Sequence, residues 1–214
     1  NVSPEGGELI NRVEKFVALS AALGADKGQA AYRLPDRPDR RAAVDAWLSA
    51  NALERYAVIH PGTSDFGAQK RWMPERFAEL ARQVHSEFGL PCIITWGPGE
   101  KELAEGIVAS SQGGAILAMQ TAHLLDLAEI TRNAQLYVGC DSGPLHLASA
   151  VGAPSVALFG PKDPRTYAPW NPRSRVVQKG RPENPFDGAM ADISVEDVMQ
   201  AARGLLDEVG TARR

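Results

Sequence analysis

The sequence predicts an α/β fold, a Rossmann-like parallel sheet with helices on both faces. Two observations carry this. Short apolar runs alternate with helical segments in strict succession, the order that strand-helix-strand units require. The runs are also nearly continuous in their apolar residues, which a strand buried on both faces needs. The composition agrees: 214 residues, 44% hydrophobic and 23% charged, exclude a disordered, collagen-like or disulfide-stapled chain. That length allows one large domain, or one domain plus a fragment. A formal net charge of -3 gives no electrostatic argument for a nucleic-acid partner.

The elements follow from local signals. From Leu9 to Leu23, Leu9, Val13, Phe16, Val17 and Ser20 fall near one helical face, and Gly24 supplies a stop. From Lys27 to Arg40 the prolines Pro35 and Pro38 among charges read as a connector without regular structure, and a domain boundary is expected there. A helix over Arg41 to Ala50 then precedes the alternation. Strands are predicted at Tyr56–His60, Pro91–Trp96, Ala115–Ala118, Leu136–Cys140 and Ser155–Phe159. Helices are predicted at Pro74–Phe88, Glu100–Ser110, His123–Asn133 and Pro144–Val151. Pro74 suits a first helical turn and Gly89 a helix end. In the tail, Arg173–Gln178 is one more candidate strand and Gly180–Gly188 a loop. Ser194–Val209 is a last helix with Ser194 as its cap.

Cys92 and Cys140 each lie in an apolar stretch and read as reduced core thiols of a cytosolic protein, a disulfide being the lesser alternative. The longest uncharged stretch, Ser142 to Pro161, approaches the roughly 20 residues that span a bilayer, but His146, Gly152 and Pro154 make it a helix, a turn and a strand. The chain starts at Asn1 with no basic, apolar leader, so no secretion signal is expected, and it reads as part of a longer polypeptide.

In open parallel sheets ligands bind beyond the carboxyl ends of the strands, so chemistry is sought in the loops that follow them. After the first strand comes His60-Pro61-Gly62-Thr63-Ser64 and then Lys70-Arg71-Trp72. Small hydroxyl residues beside a glycine, with a lysine returning to the same edge, suit a pyrophosphate. The competing reading is a solvated loop with a basic patch, and Trp72 reads as a core plug beneath it. After the second strand, Trp96-Gly97-Pro98-Gly99-Glu100 lacks the third glycine of a dinucleotide fingerprint, Glu102 standing in its place. Glu100 could accept hydrogen bonds from a ribose diol, or serve only as a favourable charge at a helix start. The third loop, Met119-Gln120-Thr121-Ala122, is plain on sequence alone.

The fourth loop, Gly139-Cys140-Asp141-Ser142-Gly143-Pro144-Leu145-His146, is the strongest feature. Small residues feed directly into a helix, so free amides near Ser142, Gly143 and Leu145 favour an anionic guest. His146 stands one helical turn beyond Ser142 on the same face; alone it could equally be a packed or capping residue. Asp141, Ser142 and His146 do not make a serine hydrolase, since the G-x-S-x-G elbow is absent and three residues in one turn cannot form the relay. No carboxylate pair or His/Cys spacing calls for a metal.

These residues together resemble the donor-binding half of the lipopolysaccharide heptosyltransferases, the ADP-heptose-using family 9 glycosyltransferases. The resemblance rests on His60-Pro61-Gly62-Thr63-Ser64, Lys70-Arg71-Trp72-Met73-Pro74 and Gly97-Pro98-Gly99-Glu100. Above all it rests on Asp141-Ser142-Gly143-Pro144-Leu145-His146-Leu147-Ala148, which fits the family's D-[ST]-G-x-x-H-x-A signature, with Phe159-Gly160-Pro161-Lys162-Asp163-Pro164 one strand later. It covers about Ala57 to Pro172.

The resemblance implies the C-terminal domain of a GT-B glycosyltransferase, inverting, metal-independent and without a cofactor. It implies that Thr63 and Ser64 contact phosphate, Lys70 neutralises the leaving ADP and Glu100 binds the ribose. Thr121 and Ala122 lie beside the adenine, while Asp141, Ser142, Gly143 and His146 hold the sugar and diphosphate. The family's general base is an aspartate of the N-terminal domain and is not in this chain. Residues 1–34 are then the end of that acceptor domain or an interdomain connector, and 35–214 the donor domain. The 194–209 helix crosses back to the missing domain, exposing Val195, Val198, Ala202 and Leu205 in its absence. The implied partners are ADP-heptose, a lipopolysaccharide core or other glycan acceptor, and the missing domain. The implied location is cytoplasmic or peripheral at the inner membrane through that domain. Two other functions fit less well: a non-catalytic nucleotide-sugar-binding module, which need not keep Lys70, Asp141 and His146, and a UDP-sugar epimerase of related architecture.

Overall fold

The computed structural model describes residues 10–26, 30–179 and 189–211. Its centre is a parallel six-stranded sheet: β1 (Ala57–His60), β2 (Cys92–Ile94), β3 (Ala115–Leu117), β4 (Leu136–Cys140), β5 (Ser155–Phe159) and β6 (Ser174–Gln178). The spatial order is β3-β2-β1-β4-β5-β6. The chain therefore winds outward from β1 in one direction and from β4 in the other. The crevice between these two strands is the topological switch point at which doubly wound sheets bind ligands.

Alternate residues of each strand feed two cores. Ala57, Ile59, Cys92, Ile94, Leu136, Val138, Val156 and Leu158 pack on one face against helices α3 (Pro74–Phe88), α4 (Lys101–Ser110) and α9 (Val195–Thr211). Val58, Ile93, Tyr137, Ala157 and Phe159 pack on the other against α2 (Pro38–Ala50), α5 (Leu124–Arg132) and α6 (Gly143–Ala150). Helix α3 shows how sequence sets an element: Pro74 opens it, and Gly89 closes it at φ +64°, a left-handed conformation that favours glycine. Between them Phe77, Leu80 and Val84 are buried, each contributing roughly 1.5 to 3 kcal/mol of hydrophobic stabilisation.

Several boundaries differ from the sequence reading. Helix α1 (Arg12–Ala22) begins at a capping box of Asn11 and Glu14, and Leu9, where the sequence reading starts it, lies outside the described residues. The expected connector gives up its last residues to α2, because Pro38 stands at the first helical position and starts the helix instead of breaking it. Arg40 and Arg41 of α2 then reach Asp126 (2.7 Å) and Glu129 (3.3 Å) on α5. A 3-10 helix at Asp65–Lys70 and the short helices α7 (Pro164–Tyr167) and α8 (Ala189–Asp192) were not foreseen. The loop expected at Gly180–Gly188 lies outside the described residues.

The last helix calls for a correction. Ser194 caps it as expected, with its Oγ accepting from the Asp197 amide at 3.1 Å. The apolar strip expected to be exposed, however, is covered by this same domain: Val198, Ala202 and Leu205 are buried and Val195 is partly buried, all packed in the core with α3. The exposed apolar helix face lies at the other end of the chain. Helix α1 buries none of its residues, and Phe16, Leu19 and the following Leu23 stand open to solvent.

Cys92 and Cys140 are unpaired and buried, and burial pushes the Cys140 thiol up to about 12, as inert core thiols require. Among the described residues no helix is long and apolar enough to cross a membrane. The Ser142–Pro161 stretch resolves into α6, a turn and β5.

Candidate functional site

A cavity of about 600 Å³ opens at the carboxyl edge of the sheet, over the switch point. That volume is typical of small-molecule sites. Of the residues singled out in the sequence, Thr63, Ser64, Lys70, Glu100, Thr121, Ala122, Asp141, Ser142 and Gly143 line it. His146 does not. Its side chain is partly exposed, with Nε2 3.8 Å from Asp141 Oδ1.

The centre of the cavity is a contact across the switch point. His60 at the end of β1 is in register with Gly139 of β4, so the loops leaving these strands lie side by side. The 3-10 turn carries Lys70 back to this edge. Its Nζ donates to the Asp141 carbonyl (2.6 Å) and to Asp141 Oδ2 (3.0 Å). Burial alone would raise the Asp141 carboxyl. The Lys70 ammonium and the nearby His146 outweigh it and hold the group below the ordinary carboxylate range. Directly beyond, Ser142 precedes α6 without capping it through its side chain, and its buried hydroxyl has no partner among the described residues. Of the amides expected to be free here, that of Leu145 donates to the Ser142 carbonyl at 3.2 Å; the amides of Ser142 and Gly143, at a helix start beside a lysine, make a site for an anion.

The first loop is built rather than merely solvated. Thr63 is buried; its hydroxyl donates to the Gly67 carbonyl (3.0 Å) and accepts from Arg71 Nε (3.0 Å), while Arg71 Nη2 donates to the Thr63 carbonyl (2.6 Å). The Thr63 hydroxyl is thus engaged in bracing the loop. Ser64 is exposed at its rim. Trp72 is the expected plug: it is buried, packs edge-on to Phe77 and donates from Nε1 to the Ile193 carbonyl at 2.9 Å.

Glu100 stands at the residue before α4 but does not cap it. Its carboxylate folds back so that Oε2 accepts from the Gly97 amide at 2.8 Å. A Cβ at position 62 would come within 2.2 Å of both carboxylate oxygens, so the absence of a side chain at Gly62 is what admits Glu100 to this place. The apolar side of the cavity is formed by Trp96, whose Nε1 donates to the Ala118 carbonyl at 3.2 Å, with Ala122, the exposed Leu124 and Leu127.

His60, Trp96, Leu124 and Leu127 were assigned no role in the sequence. His60 was the one most open to detection, as the polar end of an otherwise apolar strand. Only 4% of its surface is exposed, and burial pushes its pKa down to about 4, so the ring is neutral. Among the described residues no group of three His, Cys, Asp or Glu side chains converges as metal ligands would.

The sequence pattern described as glycosyltransferase family 9 (heptosyltransferase) matches residues 6–189. The chain belongs to glycosyltransferase family 9. Within the family, it is 31% identical to lipopolysaccharide heptosyltransferase 2 of Salmonella typhimurium over 92% of this chain. It spans 62% of that relative's length. Among solved structures, a family 9 glycosyltransferase from Veillonella parvula superposes with a TM-score of 0.82 at 24% identity, over 96% of this chain and 63% of that one. The E. coli heptosyltransferase WaaC with ADP superposes with a TM-score of 0.65 at 21% identity, over 87% and 53% respectively. These likenesses identify the parallel sheet and its helices as half of the GT-B architecture of the family's heptosyltransferases.

Proposed function

We propose that this chain is the donor-binding part of an inverting, metal-independent glycosyltransferase that moves heptose from ADP-heptose to a lipopolysaccharide core acceptor. The observation that carries this is the convergence of Lys70, Asp141 and the uncapped start of α6 on one cavity at the switch point. Lys70 donates two hydrogen bonds to Asp141, which holds its ammonium at the cavity wall with a third N–H left for the diphosphate. As the bond from the anomeric carbon to the diphosphate breaks, negative charge grows on ADP. Lys70 and the α6 amides meet it in place, already oriented. Ser142, whose hydroxyl has no partner among the described residues, and Gly143 hold the diphosphate, Ser64 reaches it from the rim, and Asp141 takes the sugar, with His146 outside the cavity lining and acting on the sugar only through its place beside the Asp141 carboxylate. Glu100 takes the ribose, and the base lies along Trp96, Thr121 and Ala122. ADP in the WaaC structure supports the choice of nucleotide.

The acceptor hydroxyl is deprotonated by a base on a preceding N-terminal domain, which this chain does not supply. Residues 1–34 belong to that domain or to the connector, and 35–214 form the donor domain. The unburied apolar face of α1 and the chain's coverage of 62% of its relative support this division. The enzyme works in the cytoplasm, or peripherally at the inner membrane through the acceptor domain.

Calorimetric titration with ADP, UDP and GDP in the absence of metal tests the reading. ADP binds selectively, and Lys70→Ala weakens it by roughly 1.5 to 3 kcal/mol, the worth of a lost charge-assisted contact. A preference for UDP, or unchanged ADP affinity in Lys70→Ala, would sink it.

A further inference from the structure

The buried His60 is not used by this mechanism, yet it stands at the wall of the donor cavity beside Glu100. Its Nδ1 lies 3.0 Å from the Thr95 hydroxyl. The alternative acceptor for that hydroxyl is the Ile59 carbonyl, farther away at 3.3 Å and already taking the Thr95 amide at 2.9 Å. With Thr95 donating to Nδ1, the nearer of its two acceptors, a neutral ring carries its one proton on Nε2. Nε2 faces Glu100 Oε2 at 3.8 Å, too long for a hydrogen bond but close enough for its N–H dipole to attract the carboxylate. The Gly97 amide draws on the same oxygen, and Gly62 leaves the space the carboxylate occupies. Both attractions act on Oε2, which leaves Oε1 as the acceptor offered to the cavity.

We infer that His60 is a positioning residue: held by Thr95 with its N–H toward Glu100, it keeps that carboxylate folded into the Gly62–Gly97 niche. The carboxylate then stands as a fixed acceptor that selects a ribose diol over a deoxyribose. The inference rests on the donor-site reading above. A neutral partner serves this purpose better than a cation, because it orients the carboxylate without quenching its strength as an acceptor. A site that holds a fixed acceptor for a hydroxyl discriminates against the ligand that lacks it, since the desolvated acceptor is left unpaired.

The test is titration of the protein with ADP, 2′-deoxy-ADP and 3′-deoxy-ADP. The wild type binds ADP at least roughly tenfold more tightly than the weaker of the two deoxy analogues, the size of one well-made hydrogen bond. His60→Leu, close in size but without the N–H, brings that ratio to about threefold or less. His60→Gln, whose amide places a donor near Nε2, restores it. Thr95→Val, which frees the ring to turn or change tautomer, falls between. A His60→Leu variant that folds and still discriminates like the wild type, or a His60→Gln variant no better than His60→Leu, would overturn the role of His60 while leaving the donor site standing. Should His60→Leu fail to fold, an unaltered ratio in Thr95→Val overturns it instead. Absence of ADP binding in the wild type would overturn the donor-site reading itself.

Discussion

At the scale of single residues, the site depends on groups whose charge state is set by burial or against it by a charged neighbour. The clearest is His60, whose folded pKa of about 4 lies below the 6.5 of an exposed imidazole. Between these values the unfolded chain binds a proton that the folded chain does not. Stability is thus full above about pH 6.5 and falls as the pH drops toward 4, by at most about 3 kcal/mol. Asp141, held below its ordinary 3.8, adds a separate loss at still lower pH, so the two windows do not coincide. Urea midpoints at pH 7.5 and pH 4.5 check this: the drop between them shrinks in His60→Leu. An equal drop in both proteins would mean that the ring is already charged in the folded state. The sequence put Lys70 and Asp141 in the site, but no spacing rule reveals that they bind each other 71 residues apart. The pairing follows from β1 and β4 lying next to one another.

At the scale of elements, legibility tracks how local the signal is. Helix α3 and strands β4 and β5 were read to the residue, because Pro74, Gly89 and the uninterrupted apolar runs mark them without help from the rest of the chain. Helix α9 was placed correctly, but its apolar strip was expected to be exposed and is buried. Its periodicity announces an apolar strip but not the surface that strip covers, which only the packing against α3 settles. The consequence is measurable: Leu205→Ala opens a cavity in a closed core and costs about 2 to 5 kcal/mol in chemical denaturation. A cost under 1 kcal/mol would return the helix to the surface. Helix α1 was read from one apolar face, of which Val13 and Val17 are partly buried while Phe16 stands exposed, as do Leu19 and Leu23.

At the scale of the whole molecule, fold class and the edge that carries the cavity were both legible, because an alternation of buried strands and helices allows few arrangements and each opens its crevice at the strands' carboxyl ends. Strand order was not legible, since pairing between distant runs leaves no trace in their composition. Yet it is this order that makes the site, by setting the His60 and Asp141 loops on either side of one crevice. The measurement that tests this most directly is a nitrogen-proton correlation spectrum of the labelled chain during titration with ADP. The account predicts that the amides of residues 62–64, 97, 99–100, 121–124, 142–143 and 145 shift together, with one saturation curve, while those at the opposite end of the sheet stay still. Shifts confined to that opposite end, or none at the start of α6, would contradict it.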